Sequence, residues 1–68
     1  MSQKELEKQR LFSIVAYCDE VSPIQARVMY VSQHGDIRHD QVRKLFLELE
    51  EDGSIERVRQ GVYRRKAA

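Results

Sequence analysis

One cysteine (Cys18), one proline (Pro23), three glycines and no tryptophan stand among 68 residues. A single thiol cannot close a disulfide within the chain, and a lone cysteine suits a reducing compartment. A cytoplasmic location is therefore expected, nucleoid-associated if the host is prokaryotic. No apolar run has the length of a signal-peptide core or a membrane span, and FSIVAY at 12–17 is too short and flanked by charge, so no membrane partner is expected. There is no internal repeat, low-complexity segment or linker. Phosphate-cradling glycine loops, nucleophile elbows and paired catalytic carboxylates are all missing. His34 and His39 have no cysteine or carboxylate at ligand spacing, which argues against a metal site. A chain of this length forms one domain and buries only about 60% of its unfolded surface. So small a core leaves little room for a pocket. The expectation is a single domain over residues 1–68 that is not an enzyme and takes no cofactor and no small-molecule ligand.

What the chain does have is charge, unevenly placed. Residues 1–53 carry seven Lys/Arg against ten Asp/Glu, a net of −3, and residues 54–68 carry five against one, a net of +4. Charge separated by region says more about partners than the total of +1.

Ser2-Gln3-Lys4-Glu5 has capping-box spacing, and a first helix is expected over about residues 3–19. Leu11, Ile14, Val15 and Cys18 make its main face, with Phe12 and Ala16 on one flank and Leu6 and Tyr17 on the other. Ser22-Pro23-Ile24-Gln25 is a second capping box with proline at the first helical position, which starts a helix over about residues 23–34. Ile24, Val28 and Val31 form its expected inner face, and Ala26, Met29 and Tyr30 spread over the rest. Gly35 supplies the stop. Asp36-Ile37-Arg38 reads as a tight turn, with Asp36 as cap for a third helix over about residues 38–52. Val42, Leu45, Phe46 and Leu49 give that helix the cleanest periodicity in the chain. Gly53 stands where a left-handed cap belongs. Two β-compatible runs, Ile55–Val58 and Val62–Arg65, follow within about residues 54–66, and a turn at Gln60-Gly61 pairs Val58 with Tyr63. The fold class is mainly α with a C-terminal β-hairpin.

This order and the residues in it resemble a winged helix-turn-helix domain. The resemblance lies in VSQHGDIRHDQVRKLFLELEEDGSIERVRQGVYR, residues 31–64. Val42-Arg43, Leu49-Glu50-Glu51-Asp52-Gly53, Ile55-Glu56-Arg57 and Gly61-Val62-Tyr63 match the family pattern. Ser32 stands where a small residue lets the two helices approach. Gly35, Asp36 and Arg38 depart from the usual apolar residue, turn glycine and Ser/Thr cap. The resemblance implies a three-helix bundle plus wing that binds double-stranded DNA and regulates transcription, as small prokaryotic, phage or plasmid regulators do. It places the recognition helix in the major groove, with Arg38, His39, Gln41, Arg43 and Lys44 as reading residues. The wing then grips backbone or minor groove through Arg57, Arg59, Gln60, Arg64 and Arg65.

The residue chemistry fits that assignment. Arginine bonds bidentately to guanine, glutamine to adenine, and lysine to phosphate or guanine. With Val58 opposite Tyr63, Arg57, Arg59 and Arg64 share one face, and like charges so close repel unless a polyanion neutralises them. Glu48, Glu50, Glu51 and Asp52 crowd the end of the third helix, where the dipole disfavours anions. They serve either to repel phosphate, so that the other end is presented, or to pair with Arg57, Arg64 or Arg65. Leu47 points away from the core face, and Leu6 and Phe12 are surplus on the first helix. These three suggest self-association, a homodimer joined through the first helix. Two other readings stand beside DNA binding. One is a winged-helix protein-interaction module that binds no DNA. The other is RNA binding, for which the aromatic stacking platform is missing.

Overall fold

Ser2 accepts a hydrogen bond from the Glu5 N–H at 3.2 Å and starts helix α1, Gln3–Tyr17. The computed structural model describes residues 2–66. Helix α1 stops two residues earlier than expected because Cys18 turns to extended backbone, with φ −90° and ψ 134°. The chain then runs out to Val21, whose N–H and C=O exchange two hydrogen bonds with Tyr63, both 2.9 Å. Val21 is thus a one-residue third strand on the hairpin, and it is buried.

Ser22 caps α2, Pro23–His34, by accepting from the Gln25 N–H at 3.2 Å, and Gly35 ends it at φ 103°. The buried face of α2 is Ala26 and Tyr30, with Met29 packed against the core. Ile24, Val28 and Val31, expected to face inward, are 67%, 62% and 39% exposed. On a helix apolar all round, periodicity does not choose between two faces. Ala26 wins because a small side chain admits the neighbouring helix closely, and Tyr30 because its hydroxyl meets the Arg10 guanidinium at 3.3 Å. Ser32, expected at the helix approach, is exposed, whereas the small residue of α2 that is buried is Ala26.

Ile37 is buried in the turn, and its carbonyl accepts from Arg27 Nε at 2.7 Å. Asp36 does not cap the next helix; its carboxylate faces Arg27 at 3.5 Å instead. Helix α3, His39–Glu51, starts from Arg38, which offers no capping side chain. Its buried residues are Val42, Leu45, Phe46 and Leu49, as the periodicity demands. Gly53 follows at φ 79°, a value glycine reaches without strain.

Strands β1, Ile55–Arg59, and β2, Val62–Arg65, form an antiparallel hairpin turning at Gln60-Gly61. Arg57 stands opposite Tyr63 and Arg59 opposite Val62. Two steps on β1 therefore meet one on β2, and Val58 is extruded as a bulge rather than paired with Tyr63. The sheet hangs on the bundle by Ile55 and Tyr63, both buried, and the Tyr63 ring meets Phe46 edge-on at 5.2 Å. Three helices followed by a two-stranded antiparallel hairpin, mainly α, is consistent with a winged-helix-like layout. Among the described residues no helix is long and apolar enough to cross a membrane.

Phe46 belongs to the bundle and supports the hairpin at once. Phe46→Ala should lower the unfolding free energy by about 3–5 kcal/mol, most of what a domain this small possesses, as read by urea denaturation.

Candidate nucleic-acid interface

The outward face of α3 follows from its core face. With Val42, Leu45, Phe46 and Leu49 inside, helical geometry turns Asp40, Arg43, Lys44, Leu47 and Glu51 to solvent, and all five are exposed. Arg43 and Lys44 make no ion pair among the described residues. Arg38 approaches Asp40 only at 3.9 Å, with both side chains 85% exposed. Gln41 is half-buried and donates to Glu7 of α1 at 3.3 Å, so it is committed to the helix interface; His39 is half-buried too. Arg38, Asp40, Gln41 and Lys44 together rim a shallow hollow of about 250 Å³ at the start of α3. Beside it the first-turn amides of α3 meet no capping side chain.

The hairpin is less naked than its sequence suggests. Arg57 lies over the Tyr63 ring, 5.5 Å from its centre, and donates to the Tyr63 hydroxyl at 3.1 Å and to Glu50 of α3 at 3.4 Å. Arg59 pairs with Glu20 at 3.0 Å, and Arg64 pairs with Glu56 across the hairpin at 2.6 Å. Three of the five cations are thus met by the protein's own carboxylates, which corrects the expectation of unrelieved repulsion. The register also separates the arginines: Arg57 stands opposite Tyr63 on one face, while Arg64, opposite Glu56, is on the other face with Val62 and its partner Arg59, so the three do not share one face. Arg65 and Lys66 are exposed and make no ion pair among the described residues; Gln60 is exposed at the turn.

The ten expected DNA-contacting residues therefore fall into two groups. Arg38, His39, Gln41, Arg43 and Lys44 lie at or near the start of α3, and Arg57, Arg59, Gln60, Arg64 and Arg65 lie on the hairpin, where Arg64 and Arg65 border a hollow of about 400 Å³ with Cys18, Asp19 and Glu20. Of these ten, among the described residues, Arg57 is the one that makes an ion pair from the hairpin to α3, through Glu50. Glu20 and Val21, which hold the hairpin to the α1–α2 connection, escaped the sequence reading. Contacts across about forty residues of chain leave no local periodicity to find.

Of the acids at the end of α3, Glu50 meets Arg57 of the hairpin as one of the two readings expected, Glu48 and Asp52 turn to α1 instead, and Glu51 makes no ion pair among the described residues. Glu48 pairs with Lys4 at 2.8 Å and with Lys8 at 3.7 Å, and Asp52 pairs with Lys8. Both lysines belong to α1; only Glu50 reaches the hairpin. Leu6, Phe12 and Leu47 are not alike: Leu6 and Phe12 are half-buried, Phe12 against the core, whereas Leu47 is 51% exposed. The larger apolar exposure is on α2, at Ile24, Val28 and Val31, and at Tyr17. Among the described residues no group of three or more His, Cys, Asp or Glu stands together as metal ligands. No protein-family model, curated protein or solved structure matches the chain.

The α1–α3 cross-links titrate. The hydrogen bond from Lys8 to Asp52 is the chief reason that the ammonium is held above its ordinary 10.5, and the bond from Lys4 holds the Glu48 carboxyl below its ordinary 4.5. A lowered carboxyl contributes stability that is full above 4.5 and is lost as pH falls through the lowered value. A raised ammonium contributes stability that is full below 10.5 and is lost as pH rises through the raised value. The margin in melting temperature between the native chain and Lys4→Met/Lys8→Met should therefore be flat from about pH 5 to 10 and shrink on both sides. Melting curves across that range check it.

Proposed function

We propose that this chain is a small winged-helix protein that binds double-stranded DNA and regulates transcription by occupying its site, blocking or recruiting polymerase. The observation that carries the reading is where its free positive charge lies. Of the exposed lysines and arginines, those without an ion pair among the described residues are Arg43 and Lys44 on α3 and Arg65 and Lys66 at the end of the hairpin. The major groove admits an α-helix, and the long exposed side chains at Arg43 and Lys44 can reach base edges or phosphates there. The uncapped amides at the start of α3 add a further partner for phosphate. Arg59 and Arg64 exchange Glu20 and Glu56 for phosphate readily, because solvent already screens such surface pairs. Arg57, held by Tyr63 and Glu50, acts as a structural cation.

A second reading has its own observation. Ile24, Val28 and Val31 lie one turn apart along the solvent side of α2, a stripe fit for another protein. Under that reading the chain is an interaction module that leaves DNA alone.

Binding to a fluorescent duplex at several salt concentrations separates the two. About four phosphate contacts give a log–log slope of about −3 to −4. Arg65→Gln or Lys44→Gln should reduce that slope by about one each, whatever the duplex sequence, while Arg43→Gln should also change which sequence is preferred. Absence of binding at about 50 mM salt would reject the DNA reading and leave the α2 stripe as the working surface.

A further inference from the structure

Leu47 is the apolar residue for which neither the core nor the charge pattern accounts. It is 51% exposed on α3, whose four core residues face the other way. Its neighbours one turn back on the helix surface are Arg43 and Lys44, at i−4 and i−3, both exposed and without an ion pair among the described residues. Long side chains on a helix lean over the turn that precedes them, so the leucine methyl groups lie towards Arg43 and Lys44 rather than towards Glu51. An apolar group is thereby set between two cations on the outward face of the helix.

We infer that Leu47 reads a thymine. The inference rests on the DNA-binding reading and names what that surface selects. The floor of the major groove is almost wholly polar, and its one apolar feature is the thymine C5-methyl group. A leucine flanked by two phosphate- or guanine-seeking side chains enters the groove with them and displaces water from that methyl. Arg43 and Lys44 supply attraction and, at a guanine, hydrogen-bond readout. Leu47 adds a shape-and-polarity test that cytosine, with no methyl and an amino group at the neighbouring position, does not pass.

The experiment needs duplexes enriched by the native chain from a random pool, with each thymine then replaced singly by deoxyuridine. That replacement deletes the methyl and leaves every hydrogen-bonding group in place. One thymine in the bound site should lose about fourfold in affinity on replacement, the worth of one buried methyl-sized group. In Leu47→Ala, and in Leu47→Gln, which keeps a long helix-compatible side chain, the same replacement should change affinity by less than about 1.5-fold, on proteins whose circular dichroism matches the native chain. A site in which no thymine is sensitive overturns the inference, as does a sensitivity that both variants keep. Failure of the native chain to enrich any duplex overturns the DNA-binding reading itself and this inference with it.

Discussion

The structure turns on Tyr63. Its backbone exchanges two hydrogen bonds with Val21, its ring packs edge-on against Phe46, and its hydroxyl accepts from Arg57, which also holds Glu50. An isolated two-stranded hairpin is marginal in water, and this one carries five cations. Tyr63 gives it a third strand, a hydrophobic anchor and a charge clamp at a single position. Without that residue the hairpin would keep only Ile55 and its surface ion pairs to hold it against the bundle. With it, β1 and β2 pack onto the bundle, while Val58 at the bulge and Gln60-Gly61 at the turn stay exposed.

Charge follows the same logic of placement. Cations near a carboxylate in the fold serve to hold elements together: Lys4 and Lys8 join α1 to α3, Arg27 closes the turn after α2, and Arg57 joins β1 to α3. Each such contact is weak in solvent, and together they set orientation more than stability. Subtracting them leaves, among the described residues, Arg43 and Lys44 beside Glu51 on the outward side of α3, and Arg65 and Lys66 at the end of the hairpin. A net charge of +1 conceals this distribution, because seven of the eleven acids pair with cations of the same chain at its surface.

Sequence alone carried the element order well, since the serine caps, Pro23, the three glycines and the α3 periodicity are local signals whose chemistry acts within a few residues. It failed where the decisive contact is distant. The inward face of α2 was misread because Ile24, Val28 and Val31 and the Ala26–Tyr30 side both satisfy helical spacing, and only the shape of the neighbouring helices separates them. Asp36 lost its capping role to a pairing with Arg27 that no turn rule anticipates. The hairpin register slipped by the one residue that Val58 takes up as a bulge, which moved Glu56 opposite Arg64 and so changed the charge on that face. Arg43 and Lys44 were legible as exposed residues from the α3 pattern, but their lack of partners was not, since that depends on where every carboxylate of the fold ends up.

The central claim is that the outward side of α3 and the hairpin act as one DNA-facing surface, although the contacts within the free protein divide them. Amide chemical-shift mapping by NMR during titration with duplex DNA tests this most directly. The account predicts shifts at Arg38–Leu47 and at Arg59–Arg65 that saturate together, with Ile24–Ser32 unchanged. Shifts confined to α2, or shifts at the hairpin alone with α3 silent, would contradict it.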